Sequence, residues 1–167
     1  MTDLGEVRIL PGYHTGAIGR IVELQARFYA DLAGFGRFFE AKVALDLAGF
    51  VSRLDHGRNG LWLARLHDEI VGSIAVDGED LGGQAAHSRW FILDERGRGR
   101  SAGRRLLATA LDFCDAQGFP ETRLWTFRGL DAARGLYEAA GFTLADERPG
   151  TQWGEEVMEQ HFVRPHP

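Results

Sequence analysis

RWFILDERGRGRSAGRRLL, residues 89–107, is the stretch on which the interpretation of the whole chain depends. The hydrophobic run Trp90–Leu93 predicts a strand, Arg96–Gly103 a glycine-rich loop, and the residues from Arg104 a helix. Backbone N–H groups at a helix start lack intrahelical partners and attract anions, and the helix dipole strengthens this attraction. Positive charge is added by Arg96, Arg98, Arg100, Arg104 and Arg105. The segment therefore predicts a phosphate-binding loop, and a solvated basic turn is the alternative.

The spacing of the loop residues limits which phosphate ligand it can take. Gly97, Gly99 and Ala102 fit the loose dinucleotide pattern G-x-G-x-x-G/A. That pattern also needs an acidic residue after the next strand, but the next strand ends Trp125-Thr126-Phe127-Arg128. The chain also lacks the glycine-lysine spacing of an ATP-binding P-loop. A nicotinamide or ATP site is therefore disfavoured.

Composition predicts a single globular domain, spanning residues 1–167. The net charge of -5 disfavours general nucleic-acid binding. Cys114 is the only cysteine, which excludes an internal disulfide and a cysteine-rich zinc site. The scattered histidines predict no metal site. The N-terminus resembles no signal peptide, and no apolar stretch is long enough to span a membrane, so we expect a cytoplasmic protein.

Hydrophobic periodicity predicts a mixed α/β (α+β) fold. The strand–helix–strand unit around residues 89–127 needs a crossover, so its two strands should be parallel, whereas the others can form antiparallel hairpins. The predicted helices are Gly16–Leu32, Phe38–Leu54, Arg104–Gln117 and Asp131–Ala140. The predicted strands are Glu6–Leu10, Leu61–Leu66, Ile70–Val76, Gln84–Leu93, Thr122–Phe127, Phe142–Asp146 and Val157–Val163.

Two motifs give the chain a family resemblance. Arg98, Ser101 and Gly103 follow the pattern Q/R-x-x-G-x-G/A, and residues 133–142 read ARGLYEAAGF. Both resemble motifs of the GCN5-related N-acetyltransferases (GNAT superfamily). Ser101 stands where the family usually has glycine, and Leu130 where it frequently has asparagine. The stretches LWTFRGLDAARGLYEAAGF and GTQWGEEV resemble the branch of the family that is often fused to winged-helix regulators.

The resemblance implies both a fold and a reaction. The fold is a mostly antiparallel sheet flanked by helices, with a parallel, splayed strand pair around an acetyl-CoA site. The activity is acetyl transfer from acetyl-CoA to a primary amine by direct attack on the thioester, with no metal. The pantetheine arm is expected along the edge of Trp90–Leu93 and the pyrophosphate on the loop. The implied cofactor contacts are Phe91, Ile92, Leu93, Arg98, Gly99, Arg100, Ser101, Ala102, Gly103, Arg104, Asp131 and Ala133.

The resemblance also points to a catalytic group. Tyr137, in the second motif, is the candidate general acid, because a phenol with an ordinary pKa near ~10 can protonate a departing thiolate. The alternative is that Tyr137 only packs in a helix. His87 is the tentative base, with Asp77, Glu79, Asp80 and water left open.

Several functional questions stay open at this level. A non-catalytic acyl-CoA-binding sensor of the same fold is the alternative to an enzyme. The acceptor can be a small-molecule or a peptide amine, and a homodimer is possible. In this family, the region of Phe28, Tyr29, Phe35, Phe38 and Phe39 commonly borders the acceptor site, although core packing explains most such rings. Cys114 is predicted to be a core residue.

Overall fold

The computed structural model describes residues 5–167. The N-terminal segment is predicted not to be a signal peptide. Its first residues, 1–4, lie outside the described residues. The elements are β1 Val7–Pro11, α1 Ala17–Ala33, α2 Arg37–Val51, β2 Gly60–Leu66, β3 Glu69–Asp77, β4 Ala85–Leu93, α3 Ala102–Ala116, β5 Glu121–Phe127, α4 Asp131–Ala139, β6 Thr143–Gly150 and β7 Val157–Pro165.

All seven strands form one sheet in the order β1-β2-β3-β4-β5-β7-β6. Every neighbouring pair is antiparallel except β4 and β5. Their connection runs through α3, as a parallel pair requires. The predicted mixed, mostly antiparallel sheet with helices on its faces is therefore confirmed.

The parallel pair separates soon after it begins. β4 and β5 are paired from Ala85 opposite Glu121 to His87 opposite Arg123. Both strands then continue, β4 to Leu93 and β5 to Phe127, without pairing to each other. The sheet is thus split at its middle, and the edge of β4 that faces β5 is open beyond His87.

A bulge interrupts β4 beside the split. Arg89 pairs with Ala75 and Ile92 with Ser73, so two residues of β4, Trp90 and Phe91, lie opposite Ile74. Trp90 has a positive φ of 49°, and the hydroxyl of Ser73 donates a hydrogen bond of 2.7 Å to its carbonyl. Bulges of this kind bend a strand and redirect its side chains. The sequence predicted an uninterrupted strand here.

The helices cover opposite faces of the sheet. Trp62 and Ala64 of β2 pack in the cluster of Leu106 and Leu107 from α3. The intervening residues Leu61 and Leu63 pack with residues of α1 and α2 instead. This alternation is the two-residue period of a strand buried on both faces.

Several predicted boundaries are wrong, and three of them are as follows. The helix α2 ends at Val51 rather than Leu54. The helix α3 begins at Ala102 rather than Arg104. The strand β6 runs to Gly150 rather than Asp146, because Pro149 pairs with Met158 of β7. Proline, which lacks an N–H donor, is tolerated there because β6 is an edge strand.

Candidate active site

The loop between β4 and α3 lies directly before a helix, as its sequence predicted. A short 3₁₀ turn, Glu95–Gly97, leads to Gly99 and Ser101, which both have positive φ, 74° and 58°. Gly99 has no atom within 4 Å of the position a Cβ would occupy. Ser101 immediately precedes α3 in the left-handed region. That conformation costs a non-glycine residue ~1 kcal/mol, which explains why glycine suits this position.

Two of the five arginines make no hydrogen bond or ion pair within residues 5–167. Arg98 and Arg104 are exposed, and the guanidinium of Arg98 lies 5.7 Å from the ring centroid of Phe28. The other three are bound to the protein: Arg96 to Asp94 and Glu69, Arg100 to the carbonyl of Gly5, and Arg105 to the carbonyl of Val7. The charge of Arg96 is thus offset by two carboxylates, whereas Arg100 and Arg105 are bonded to neutral carbonyls and keep their positive charge near the loop.

The remaining residues of the predicted cofactor set lie along β4 and at the starts of α3 and α4. Ile92, Ala102 and Gly103 are buried. A Cβ on Gly103 would lie 3.5 Å from Leu136 and 3.7 Å from Phe91, so α3 packs closely against both α4 and β4. The other members are the partly buried Phe91, Leu93 and Ala133 and the exposed Asp131, the first residue of α4.

A cleft of about 760 Å³ occupies the split in the sheet. This volume is in the range of small-molecule sites. The strands contribute His87, Ser88, Arg89, Trp90, Phe91, Leu124, Trp125, Thr126, Phe127, Asp146, Arg148, Glu159, Gln160 and His161. The helices and loops contribute Gln25, Tyr29, Phe35, Phe39, Lys42, Val43, Asp46, Leu81, Tyr137, Gln152 and Trp153.

Tyr137 is the one residue of α4 that is fully buried, and it lines the cleft. Its ring centroid lies 6.0 Å from that of Phe91 and 5.8 Å from that of Phe142. Burial, and secondarily the charge of Tyr29, raises the pKa of Tyr137 well above its ordinary value of 10.0. The assumption of an ordinary pKa is therefore wrong. The phenol stays protonated near neutral pH, and its raised pKa makes it a weaker acid than an ordinary tyrosine.

His87 is the last paired residue of β4 before the split. Its Nδ1 lies 2.7 Å from Oδ2 of Asp80, and its ring lies 4.9 Å from that of Trp125. An ionised carboxylate only accepts hydrogen bonds, so Nδ1 carries the hydrogen and Nε2 of the neutral ring keeps a lone pair. This arrangement leaves Nε2 as a proton acceptor at the cleft.

The other candidate bases are committed to structure. Asp77 is fully buried and bound by Arg53 at 2.6 and 3.3 Å. Burial favours a higher pKa, but the Arg53 bond and bonds from backbone amides hold the pKa of Asp77 below its ordinary value. Glu79 accepts from Asn59 and Arg53 and is bonded to His56, and these contacts lower its pKa. Asp80 is bonded to His87 and lies 3.5 Å from Arg89, and His87 keeps its Nε2 without a hydrogen-bond partner within residues 5–167.

Several cleft residues carried no signal in the sequence. His161 of β7 stacks on Trp125, with ring centroids 4.4 Å apart, and its Nε2 is buried without a hydrogen-bond partner. Burial, and next the charge of Arg123, lowers the pKa of His161 below 6.5. Gln25 and Trp153 lie in distant parts of the chain; Gln25 matches no motif, and the stretch GTQWGEEV that contains Trp153 predicted no site role for it. Only the sheet brings them together.

Three remaining predictions concern a thiol, metals and membranes. Cys114 is 1% exposed, and burial raises the pKa of its thiol to about 11, as expected for an unreactive core cysteine. Among residues 5–167, no group of three or more His, Cys, Asp or Glu residues is placed to hold a metal ion. In the same part of the chain, no helix is both long and apolar enough to cross a bilayer.

Comparison with known proteins decides the family. The acetyltransferase (GNAT) family model matches residues 20–142. The chain belongs to this family. That span contains the β4–α3 loop, His87 and Tyr137. The GNAT chain is also 23% identical over 146 residues to human N-acetyltransferase 8B, and the match covers 84% of the chain and 64% of that protein. The chain thus spans less than two thirds of this relative's length.

Solved structures share the GNAT fold at low identity. The acetyltransferase yncA of Salmonella typhimurium, whose structure contains acetyl-CoA, has a TM-score of 0.77 and 14% identity, covering 98% of this chain and 95% of yncA. PH1933 of Pyrococcus horikoshii has a TM-score of 0.73 and 21% identity, covering 97% and 99%. At these identities the likeness shows the fold.

Proposed function

We propose that this GNAT chain is an acetyl-CoA-dependent N-acetyltransferase that acts on a primary amine by direct attack on the thioester. The observation that carries the proposal is the split between β4 and β5. It brings the phenol of Tyr137 and the imidazole of His87 to one cleft, whose wall includes Phe91 of β4, the strand that leads into the loop before α3. A binding loop, a proton donor and a proton acceptor are the three parts that acetyl transfer needs.

The proposed cofactor site uses mostly backbone groups. The amides from Gly99 to Arg104, including those of Arg100, Ser101, Ala102 and Gly103, bind the pyrophosphate, helped by the exposed Arg98 and Arg104. The open edge of Phe91–Leu93 accepts the pantetheine amides as an added strand. The open space at Gly99 fits this role. Asp131 and Ala133, at the start of α4, complete the proposed contacts.

The proposed reaction forms one bond and breaks another. The acceptor nitrogen bonds to the acetyl carbonyl carbon, and the carbon–sulfur bond breaks as coenzyme A leaves. His87 takes one proton from the acceptor nitrogen through Nε2, directly or through water. Tyr137 donates its phenolic proton to the departing sulfur and is reprotonated by solvent. Acetyl-CoA supplies the activated thioester, and the residues supply the proton transfers.

A comparison of binding with turnover tests the proposal. We expect acetyl-CoA to raise the melting temperature, whereas NADH and ATP do not. We then expect a mixture of primary amines to release free thiol from acetyl-CoA, with one acetylated amine formed for each thiol. An acyl-CoA sensor of this fold would bind acetyl-CoA and release no thiol. Stabilisation by NADH but not by acetyl-CoA would contradict the cofactor assignment.

Further proposals concern the domain organisation, location, acceptor and relatives of the enzyme. They are a single catalytic domain over residues 1–167, a cytoplasmic location, a small-molecule or peptide amine as acceptor, and kinship with the branch fused to winged-helix regulators. A homodimer is supported by β6, which forms one edge of the sheet and is largely exposed. The net charge of -5 supports a protein that acts without nucleic acid.

A further inference from the structure

Two side chains of α1 reach the cleft with uncharged polar groups. Gln25 and Tyr29 are four residues apart, so they share one face of the helix. Gln25 is 5% exposed, and its amide makes no hydrogen bond with any residue from 5 to 167. Burial raises the pKa of Tyr29 to about 12, so its hydroxyl is neutral. The amide faces the cleft and is therefore free to bond to a neutral polar group of a ligand.

An aromatic wall adjoins Tyr29, and we define it as Tyr29, Phe35, Phe39, Phe127 and Trp153. The ring of Phe35 is nearly parallel to that of Tyr29, at 22° and 5.8 Å, and to that of Trp153, at 23° and 6.5 Å. Phe127 contacts both Tyr29 and Trp153. Trp153 is only partly buried, and all five rings line the cleft. Such a wall packs best against a flat apolar group.

The arginine and lysine side chains of the cleft already have counter-ions. Among the described residues, each such cation that lines it lies within 3.5 Å of a carboxylate: Lys42 of Asp46, Arg89 of Asp46 and Asp80, and Arg148 of Asp146. Glu159 in turn accepts from the backbone and side-chain amides of Gln152. An acceptor carboxylate or phosphate would have to displace one of these pairs. An acceptor without an anionic group fits the cleft as it stands.

We infer that the acceptor is an arylalkylamine, a primary amine on a short chain attached to a flat ring with a neutral hydrogen-bonding group. The ring packs on the aromatic wall, and the neutral group bonds to Gln25. This inference rests on the proposed function and narrows it to one class of substrate. The inference predicts that three other classes of acceptor are poorer substrates: polyamines, amino acids and lysine side chains of peptides.

A four-acceptor ranking tests the inference in the unmodified protein. With acetyl-CoA saturating, kcat/KM is measured for tyramine, spermidine, glutamate and a lysine-containing peptide. We expect tyramine to exceed each of the others by about tenfold or more. A higher kcat/KM for spermidine, glutamate or the peptide overturns the inference and leaves the acetyltransferase proposal intact. If no acceptor releases thiol, the proposed function itself fails, and this inference with it.

Two substitutions test which residues contact the acceptor. Trp153→Ala should raise KM for tyramine about tenfold and leave the acetyl-CoA dissociation constant unchanged. Its matched control is Tyr13→Ala, which removes a half-exposed ring outside the cleft and should change neither quantity. Gln25→Leu keeps the side-chain size and should abolish any preference for tyramine over phenethylamine, which lacks the hydroxyl. An equal effect of Trp153→Ala on all four acceptors, or an unchanged preference in Gln25→Leu, contradicts the assignment.

Discussion

The two sides of the cleft are built in different ways. The cofactor side is one continuous segment, from β4 through the loop to α3, and its binding groups are mainly backbone amides. The acceptor side gathers side chains from α1, the α1–α2 turn, β4, β5, β7 and the loop before β7. A backbone site needs particular local conformations, which leave a local pattern of glycines. A site of converging side chains leaves no such pattern, so the two sides differ in how they can be tested.

The largest expected effect is on the acceptor side, at His87. We expect His87→Asn, whose amide nitrogen takes the place of Nδ1 and can keep the hydrogen bond to Asp80 but cannot take a proton, to lower kcat by ~10²–10⁴-fold with an amine acceptor. The acetyl-CoA dissociation constant should stay within about threefold, because the cofactor is held elsewhere. Steady-state kinetics and calorimetry measure both quantities. If kcat of the variant is unchanged and the chemical step is rate-limiting, water accepts the proton instead of His87.

The next largest expected effect is on stability, at Asp77, which supports the acceptor side. Asp77 precedes the loop that carries Asp80, accepts backbone bonds from Glu79 and Asp80, and is bound by Arg53. We expect Asp77→Asn to lower the free energy of unfolding by ~2–3 kcal/mol at pH 7, because it weakens a buried charge pair. Asp115→Asn is the matched control. Its carboxylate, which forms a bidentate pair with Arg164, is more exposed than that of Asp77, so we expect a loss of ~1 kcal/mol.

This effect should depend on pH in a defined direction. The folded state holds the pKa of Asp77 below its ordinary value of 3.8, so the ionised group contributes stability above that value. This contribution is lost as the pH falls through the folded pKa. The difference in unfolding free energy between the parent protein and Asp77→Asn should therefore narrow below about pH 4. Urea melts across pH 3–7 measure it, and a difference that widens in acid would refute this account of Asp77.

Ser101 tests the cofactor side. Leucine there adds bulk to the loop at a positive φ of 58°. We expect Ser101→Leu to weaken acetyl-CoA binding by more than about tenfold and to leave acceptor discrimination unchanged. Parental acetyl-CoA affinity in a folded Ser101→Leu protein would mean that the pyrophosphate lies elsewhere.

The smallest expected effect is that of the matched substitution Ser101→Gly. Glycine relieves the left-handed strain of ~1 kcal/mol, partly offset by greater freedom of the unfolded chain. We expect a gain in stability of less than ~1 kcal/mol and an acetyl-CoA affinity within about tenfold of the parent's. Thermal melts and calorimetry on the parent and both variants complete the series. Marked destabilisation by glycine would contradict the backbone conformation assigned to this position.

The same contrast explains what the sequence could predict. The order of helices and strands, the parallel pair and the loop before α3 depend on local periodicity and glycine placement, and these predictions agree with the structure. The bulge at Trp90 was not predicted, because it depends on pairing with β3. Gln25 and Trp153 were not predicted either, because they are 128 positions apart in the numbering, and only the tertiary fold brings them to one cleft. The raised pKa of Tyr137 results from the same tertiary packing.

Tyr137 lies where the two sides meet. The central claim is tested most directly by measuring kcat and the acetyl-CoA dissociation constant separately in Tyr137→Phe. Phenylalanine keeps the ring that packs on Phe91 and Phe142 and removes only the hydroxyl. Negative charge grows on the sulfur only as the thioester bond breaks, so the phenol should act on the barrier and not on binding. We expect kcat to fall by ~10²–10⁴-fold and the dissociation constant to change by less than about tenfold. Unchanged kcat with chemistry shown to be rate-limiting would contradict the account and leave solvent as the proton donor.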